Sequence, residues 1–256
     1  MAEFNDVRKE IIESLERAEA IWNKVEPLLE CYGEGGELRK AVTDSDVISN
    51  IPGHKIVNSI RPEVDNFIAL VLDIRDSTKH LIQAIGGNAK VSQLQRVFYE
   101  TTAVNTIGSI IIKEQGGQIT EFLGDGFLAL FKVSEEDKEK VYKSYRAAKE
   151  CIITVEHIVN PILSERYSLP PISIGIGMAY SQAIVTVVGD GDNLHPKALG
   201  ECVFRASKIS DGDNEIRIDN RLEKLWPSSK DGKLSFKPFG TRHNFTEYLI
   251  YTNEKS

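Results

Sequence analysis

The stretch FIALVLDI, residues 67–74, limits what this chain can fold into more than any other. It opens with six apolar residues in succession and has no polar alternation, so it reads as a short central strand. The run is far too short to cross a membrane. Asp73 stands near its end. A carboxylate at the tip of a buried strand is costly unless a partner or a metal ion meets it. Fold and chemistry therefore point to the same place.

With 256 residues the chain suits one domain of roughly 200 residues with an appendage, or two small ones. Its 31 basic and 38 acidic residues give a net charge of −7, which argues against a general nucleic-acid binder. Three scattered cysteines, Cys31, Cys151 and Cys202, form neither a disulfide framework nor a zinc site. The histidines show no metal-ligand spacing. The opening MAEFNDVRKE is charged and lacks the apolar stretch of a signal peptide. A soluble cytoplasmic protein is expected, with no nucleic-acid or membrane partner.

Residues 1–66 are expected to hold an N-terminal amphipathic helix and an irregular segment, and residues 67–256 the main domain. Over residues 5–30, apolar positions such as Ile11, Leu15, Ala18, Trp22 and Val25 recur at helical steps and need cover, from the main domain or a second subunit. Residues 40–66 read as irregular, with Pro52-Gly53 and Pro62 as breakers. Residues 92–114 read as a helix, and QITEFLGDGFLALF as two strands around a Gly124-Asp125-Gly126 turn. Residues 135–167 read as one long charged helix capped by Ser134 and kinked at Pro161. ISIGIGMAY and AIVTVVG read as a strand pair, residues 198–210 as a helix, and IRID, KLSFKPF and EYLIY as three closing strands. This order implies an α+β fold of ferredoxin-like type, a mixed, mostly antiparallel sheet with helices on one face.

Two segments could carry chemistry. After Asp73, the residues Arg75, Asp76, Ser77 and Thr78 lead into a helix, where backbone N–H groups and hydroxyls favour phosphate oxygens; an ordinary helix cap is the competing explanation. Asp125 lies in a Gly-Asp-Gly turn, which sterics alone can explain. Together they say more. If the hairpin lies beside the first strand, Asp73 and Asp125 can share divalent cations, and hard oxygen donors suit Mg²⁺ or Mn²⁺. His80 reads as a helix-surface residue, and Arg96 and Tyr99 as packing. The GDGDN at residue 189 and DGDN at residue 211 read as turns rather than calcium loops.

VLDIRDST, GGQITEFLGDGFLALF, ISIGIGMAYSQAIVTVVGD and ALGECVFRASKIS occur in an order and spacing that resemble the class III nucleotide cyclases. The similarity spans residues 67–251. VNSIRP followed by VLDIRDSTKH and FLGDGFLALF looks closer still to the pyrimidine (uridylate and cytidylate) cyclases of bacterial anti-phage, Pycsar-type systems. Their cyclic UMP or cyclic CMP activates a separate effector.

The resemblance implies roles for particular residues. Asp73 and Asp125 match the metal-binding aspartates, and Ile74 the position whose carbonyl ligates one of two divalent cations, Mn²⁺ or Mg²⁺. Arg75, Asp76, Ser77 and Thr78 match the triphosphate loop. Glu121 and Lys197, each three residues before a glycine, match the base-selecting positions. Adenylate cyclases usually place Lys at the first and Asp or Thr at the second, so the adenine pair is missing here. Glu121 accepts and Lys197 donates, which suits uracil N3–H with a carbonyl, or guanine N1–H with O6. Cytosine is less natural against Lys197. The pair disfavours ATP without separating UTP from GTP; UTP follows from the closer resemblance.

The last motif departs from the family. Phe204 stands where the ribose-orienting Asn is usual, and Lys208 where the transition-state Arg is usual, with Arg205 alongside. Lys208 or Arg205 could supply charge to the α-phosphate, although Arg and Lys are not equivalent there. On residue type alone, Phe204 reads as core and Lys208 as solvated. Arg242 or His243 could meet the terminal phosphates. The expected activity is conversion of UTP to 3′,5′-cyclic UMP and diphosphate in anti-phage signalling. The resemblance also implies a homodimer with shared sites, the aspartates from one subunit and Lys197, Arg205 and Lys208 from the other. The alternatives are a cyclase acting on CTP or GTP, and a degenerate domain that binds nucleotide or partners without turnover.

Overall fold

The structure, a computed structural model, describes residues 23–24, 46–82, 89–134, 136–189, 193–227, 232–242 and 244–252. The helix expected over residues 5–30 lies outside these, apart from the helical Asn23 and Lys24. The chain then runs through β1 (Asp46–Ile51), β2 (His54–Asn58), β3 (Glu63–Ile74), α1 (Ser77–Ile82), α2 (Gln93–Glu114), β4 (Gln118–Phe122) and β5 (Gly126–Lys132). Next come α3 (Lys138–Thr154), a π-helical turn (Val155–Val159) and α4 (Asn160–Tyr167). The remainder is β6 (Ile174–Val188), β7 (His195–Gly200), α5 (Glu201–Lys208), β8 (Glu215–Asp219), α6 (Asn220–Leu225), β9 (Leu234–Arg242) and β10 (Phe245–Thr252).

The main sheet runs β4-β5-β3-β6-β8-β10-β9, with β7 also on β6. Among the described strands, only β6 and β8 pair in parallel; the other pairs are antiparallel. β3 is central, between β5 and β6, as its apolar run predicts. One face of β3 presents Ile68, Leu70, Leu72 and Ile74 to Val104, Ile111 and Ile112 of α2 and Ala147, Ala148 and Cys151 of α3. The other face presents Phe67, Ala69 and Val71 to Cys202 and Ala206 of α5 and to Ile51 and Val57 of the β1–β2 hairpin. Both faces of the run from Phe67 to Leu72 are sealed, which is why no polar residue interrupts it. Helices therefore lie on both faces of the sheet, whereas the sequence implied one face only. No described helix is long and apolar enough to cross a membrane.

Several other expectations need correction. Residues 46–58 form a hairpin rather than irregular chain, and Pro52-Gly53 is its turn. Gly53 has φ +84°, so proline followed by a left-handed glycine turns the chain instead of merely breaking it. β3 begins at Glu63, ahead of the apolar run. ISIGIGMAY and AIVTVVG are one strand, β6, paired along β3 without a turn. The strand that does fold back on β6 is β7, so residues 198–200 are extended and the helix starts at Glu201. The long charged helix starts at Lys138, with Asp137 rather than Ser134 at its cap, and its break is the π turn ahead of Pro161.

Candidate active site

Strand register brings the two aspartates together. Asp73 lies opposite Gly126 on β5, and the Ile74 N–H donates to the Asp125 carbonyl at 3.0 Å. The β4–β5 turn is thereby drawn onto the tip of β3. Gly126 permits this, because a Cβ there would stand 1.9 Å from the Leu72 carbonyl oxygen. Burial, and then the neighbouring Asp125 charge, push the Asp73 carboxyl up to about 6, while Arg75 pulls the other way.

The loop after β3 wraps this pair. The Arg75 guanidinium donates to Asp73 Oδ2, and Ser77 Oγ donates to Asp125 Oδ2. Asp76 takes a left-handed φ of +57°. Lys79 Nζ lies 2.6 Å from its carboxylate, and the His80 N–H donates to its carbonyl at 3.0 Å. Thr78 is exposed on α1. His80 is not a free surface residue. Its Nδ1 lies 2.8 Å from Glu100 Oε2, and Arg96 Nε donates to Glu100 Oε1 at 2.7 Å. Glu100 is fully buried, so this cluster fastens α1, and the loop before it, to α2.

Two carboxylates held against their mutual repulsion, partly buried and offering hard oxygens, fit a divalent cation. Asp73 and Asp125 would hold it, and Ile74 bridges them through its backbone.

A second group forms a cleft of about 480 Å³ lined by Ser49, Asn50, Thr120, Glu121, His195 and Lys197. Lys197 Nζ lies 2.7 Å from Glu121 Oε2, each side chain about one-third exposed (31% and 34%). Residues 76 positions apart in sequence are thus paired, and Lys197 is not simply a solvated lysine. The wall from β1 escaped sequence reasoning. Its signal was present, since two short runs joined by Pro-Gly form a hairpin pattern.

α5 carries the remaining candidates. Arg205 donates to Asp219 Oδ2 at 2.9 Å and Glu201 Oε2 at 2.6 Å, with Asn220 Oδ1 at 3.3 Å, and lies over the Phe245 ring. Lys208 Nζ lies 5.5 Å from the Phe204 ring centre. Phe204 is 54% exposed, not core as its apolar character implied. Among the described residues, no ion pair or hydrogen bond joins Asp73 or Asp125 to Glu121, Lys197, Arg205 or Lys208. Arg242 ends β9, and His243 lies outside the described residues. Tyr99 stacks on Tyr167 at 4.6 Å, a packing contact between α2 and α4. The segment at residue 211 is a turn in which Asp211 meets Arg217 at 2.8 Å; residues 190–192 of the other Gly-Asp segment lie outside the described residues.

No protein-family model matches the sequence, and no curated protein matches it. Solved structures do. The fold is similar to that of the guanylyl cyclase Cya2 (TM-score 0.59, 18% identity, 75% of this chain and 95% of that one). It is also similar to the adenylyl cyclase CyaB from P. aeruginosa (TM-score 0.61, 15% identity, 76% and 98%). A bacterial light-regulated adenylyl cyclase aligns with TM-score 0.60 at 19% identity over 76% of this chain, which spans about half, 53%, of that protein. At these identities the shared property is the fold, that of the class III cyclase domains.

Proposed function

We propose that the chain is a nucleotidyl cyclase that converts UTP to 3′,5′-cyclic UMP and diphosphate. The observation that carries this reading is the Asp73–Asp125 pair, built by strand register at the end of β3 within a cyclase-type fold. The ribose O3′ attacks the α-phosphorus of its own nucleotide. The bond from that phosphorus to the diphosphate oxygen breaks, and the O3′ proton is lost. Divalent cations on such carboxylates supply Lewis-acid stabilisation of the phosphate charge and favour the O3′ alkoxide.

The protein's own residues position the substrate. Arg75, Asp76, Ser77 and Thr78 form the loop that would hold the triphosphate. Glu121 and Lys197 present an acceptor beside a donor, complementary to the N3–H and an adjacent carbonyl of uracil. Lys208, exposed on α5, would serve the α-phosphate; Arg205 is engaged by Asp219 and Glu201. We read the active molecule as a homodimer whose sites combine the aspartates of one subunit with α5 and the Glu121–Lys197 cleft of the other. A two-fold axis then gives two equal sites. The biological setting we propose is cytoplasmic anti-phage signalling through a separate effector.

Mixing two inactive chains tests this arrangement. An Asp73→Ala chain combined with a Lys197→Ala chain should regain activity through one intact site per mixed dimer. No recovery, with subunit exchange verified, contradicts shared sites. The exposed Phe204 at the ribose position, together with the committed Arg205, favours a second reading, a domain that binds nucleotide without turnover. Nucleotide binding without any cyclic product would support it.

A further inference from the structure

Arg75 is the residue whose placement the cyclisation chemistry leaves unexplained. A side chain suited to a triphosphate is instead folded back onto Asp73. Its Nε is buried and meets no hydrogen-bond partner among the described residues, an arrangement that proteins generally avoid. The same loop engages the other carboxylate through Ser77 and Asp125. Between these two donors, Asp76 holds a φ of +57°, uncommon for a residue with a Cβ. Lys79 and the His80 N–H brace it in that state. The loop is therefore closed over the carboxylates by its own contacts.

We infer that Arg75 is a resident counter-cation of the nucleotide-free site, which gives up Asp73 to a divalent cation as it turns to phosphate oxygens. This rests on the cyclase reading, since that reading alone places a cation on Asp73 and a triphosphate beside the loop. A guanidinium stays charged throughout, and its planar fork fits carboxylate and phosphate alike. The exchange therefore keeps every charge paired, and the orphan Nε gains access to an acceptor. Metal alone leaves Arg75 without its carboxylate. Triphosphate alone, by drawing Arg75 away, leaves Asp73 without its cation. Binding both together avoids each loss, so the two ligands strengthen one another.

The test uses the purified full chain and Mn²⁺ alone, with free Mn²⁺ read by electron paramagnetic resonance. Arg75→Ala should bind Mn²⁺ about tenfold tighter than the parent chain, because the competing charge is gone. Arg75→Lys retains a competing charge and should stay close to the parent. Adding Asp73→Asn to Arg75→Ala should abolish the gain. If the alanine variant does not fold, Arg75→Gln makes the same comparison. Affinity unchanged or weakened in Arg75→Ala and Arg75→Gln, with binding still lost in Asp73→Asn, overturns the inference and leaves the metal site standing. Binding indifferent to Asp73→Asn in every background overturns the cyclase reading, and the inference with it.

Discussion

Glu121 Oε2 and Lys197 Nζ meet at 2.7 Å, one from the β4–β5 hairpin and the other from β7. An acceptor and a donor are thus fixed side by side at a cleft. The ion pair is about one-third open to water, so its contribution to stability is small. Its value lies in orientation.

Reversing the pair should reverse the base. Glu121→Lys with Lys197→Asp keeps an ion pair, so the double variant should fold and move preference from UTP toward ATP. Either single change leaves two like charges or a lone carboxylate pair and should lower kcat/KM for UTP by about tenfold or more, the scale of a lost charged hydrogen bond. Kinetics on the four nucleoside triphosphates check both statements.

Asp73 should be a liability to the fold. Burial and the Asp125 charge raise its carboxyl from 3.8 to about 6. The folded chain therefore binds more protons than the unfolded chain between those values, and stability falls as pH rises through that window. Asp73→Asn cannot ionise. It should be more stable than the parent at pH 8, by about 1–3 kcal/mol, with the gain shrinking toward pH 4. Urea unfolding at pH 5 and pH 8 measures the difference, and the variant should lack cyclase activity at either pH.

Gly126→Ala should damage the fold and the site together. The new Cβ would stand 1.9 Å from the Leu72 carbonyl, backbone against backbone, with no side chain able to yield. A loss of roughly 2–4 kcal/mol is expected, together with displacement of Asp125 from the tip of β3. Denaturant unfolding gives the first effect. Weakened Mn²⁺ binding by whatever folded protein remains gives the second.

His54 should hold the cleft wall in place. It is buried where β2 begins, with Nδ1 3.0 Å from Glu63 Oε2 and Nε2 3.1 Å from Asp65 Oδ2. Both ring nitrogens face carboxylate oxygens, so the ring ties the start of β2 to the start of β3. His54→Leu should cost about 1–3 kcal/mol and loosen the β1–β2 hairpin that lines the cleft. KM for UTP should rise more than kcat falls, and the hairpin should be cut sooner by limited proteolysis.

How much could be read in the sequence depended on what each segment packs against. β3 and the β4–β5 hairpin were legible because apolar runs bracket a Gly-Asp-Gly turn. β6 was misread because Ser181-Gln182 resembles a turn. In the fold Ser181 Oγ accepts the Cys202 N–H and donates to the Gln182 carbonyl, so polar residues stay inside an unbroken strand. β7 was hidden because Ala198 and Leu199 suit a helix, and only pairing with β6 makes them extended. The aspartate pair followed from motif order. Folding of Arg75 onto Asp73 did not, since it depends on the left-handed turn at Asp76, which local sequence does not dictate. Phe204 was misplaced for a related reason. An aromatic residue on a short helix defaults to the core until the buried face proves to belong to Cys202 and Ala206.

Incubating the purified, folded protein with ATP, GTP, CTP and UTP separately, with Mn²⁺, and resolving the products by mass spectrometry shows whether it is a uridylate cyclase. Cyclic UMP and diphosphate are expected from UTP, with loss of that product in Asp73→Ala and Asp125→Ala. Cyclic AMP as the main product would contradict the assignment of Glu121 and Lys197. The absence of a cyclic product from all four nucleotides, in a protein shown to be dimeric, would contradict the catalytic reading altogether.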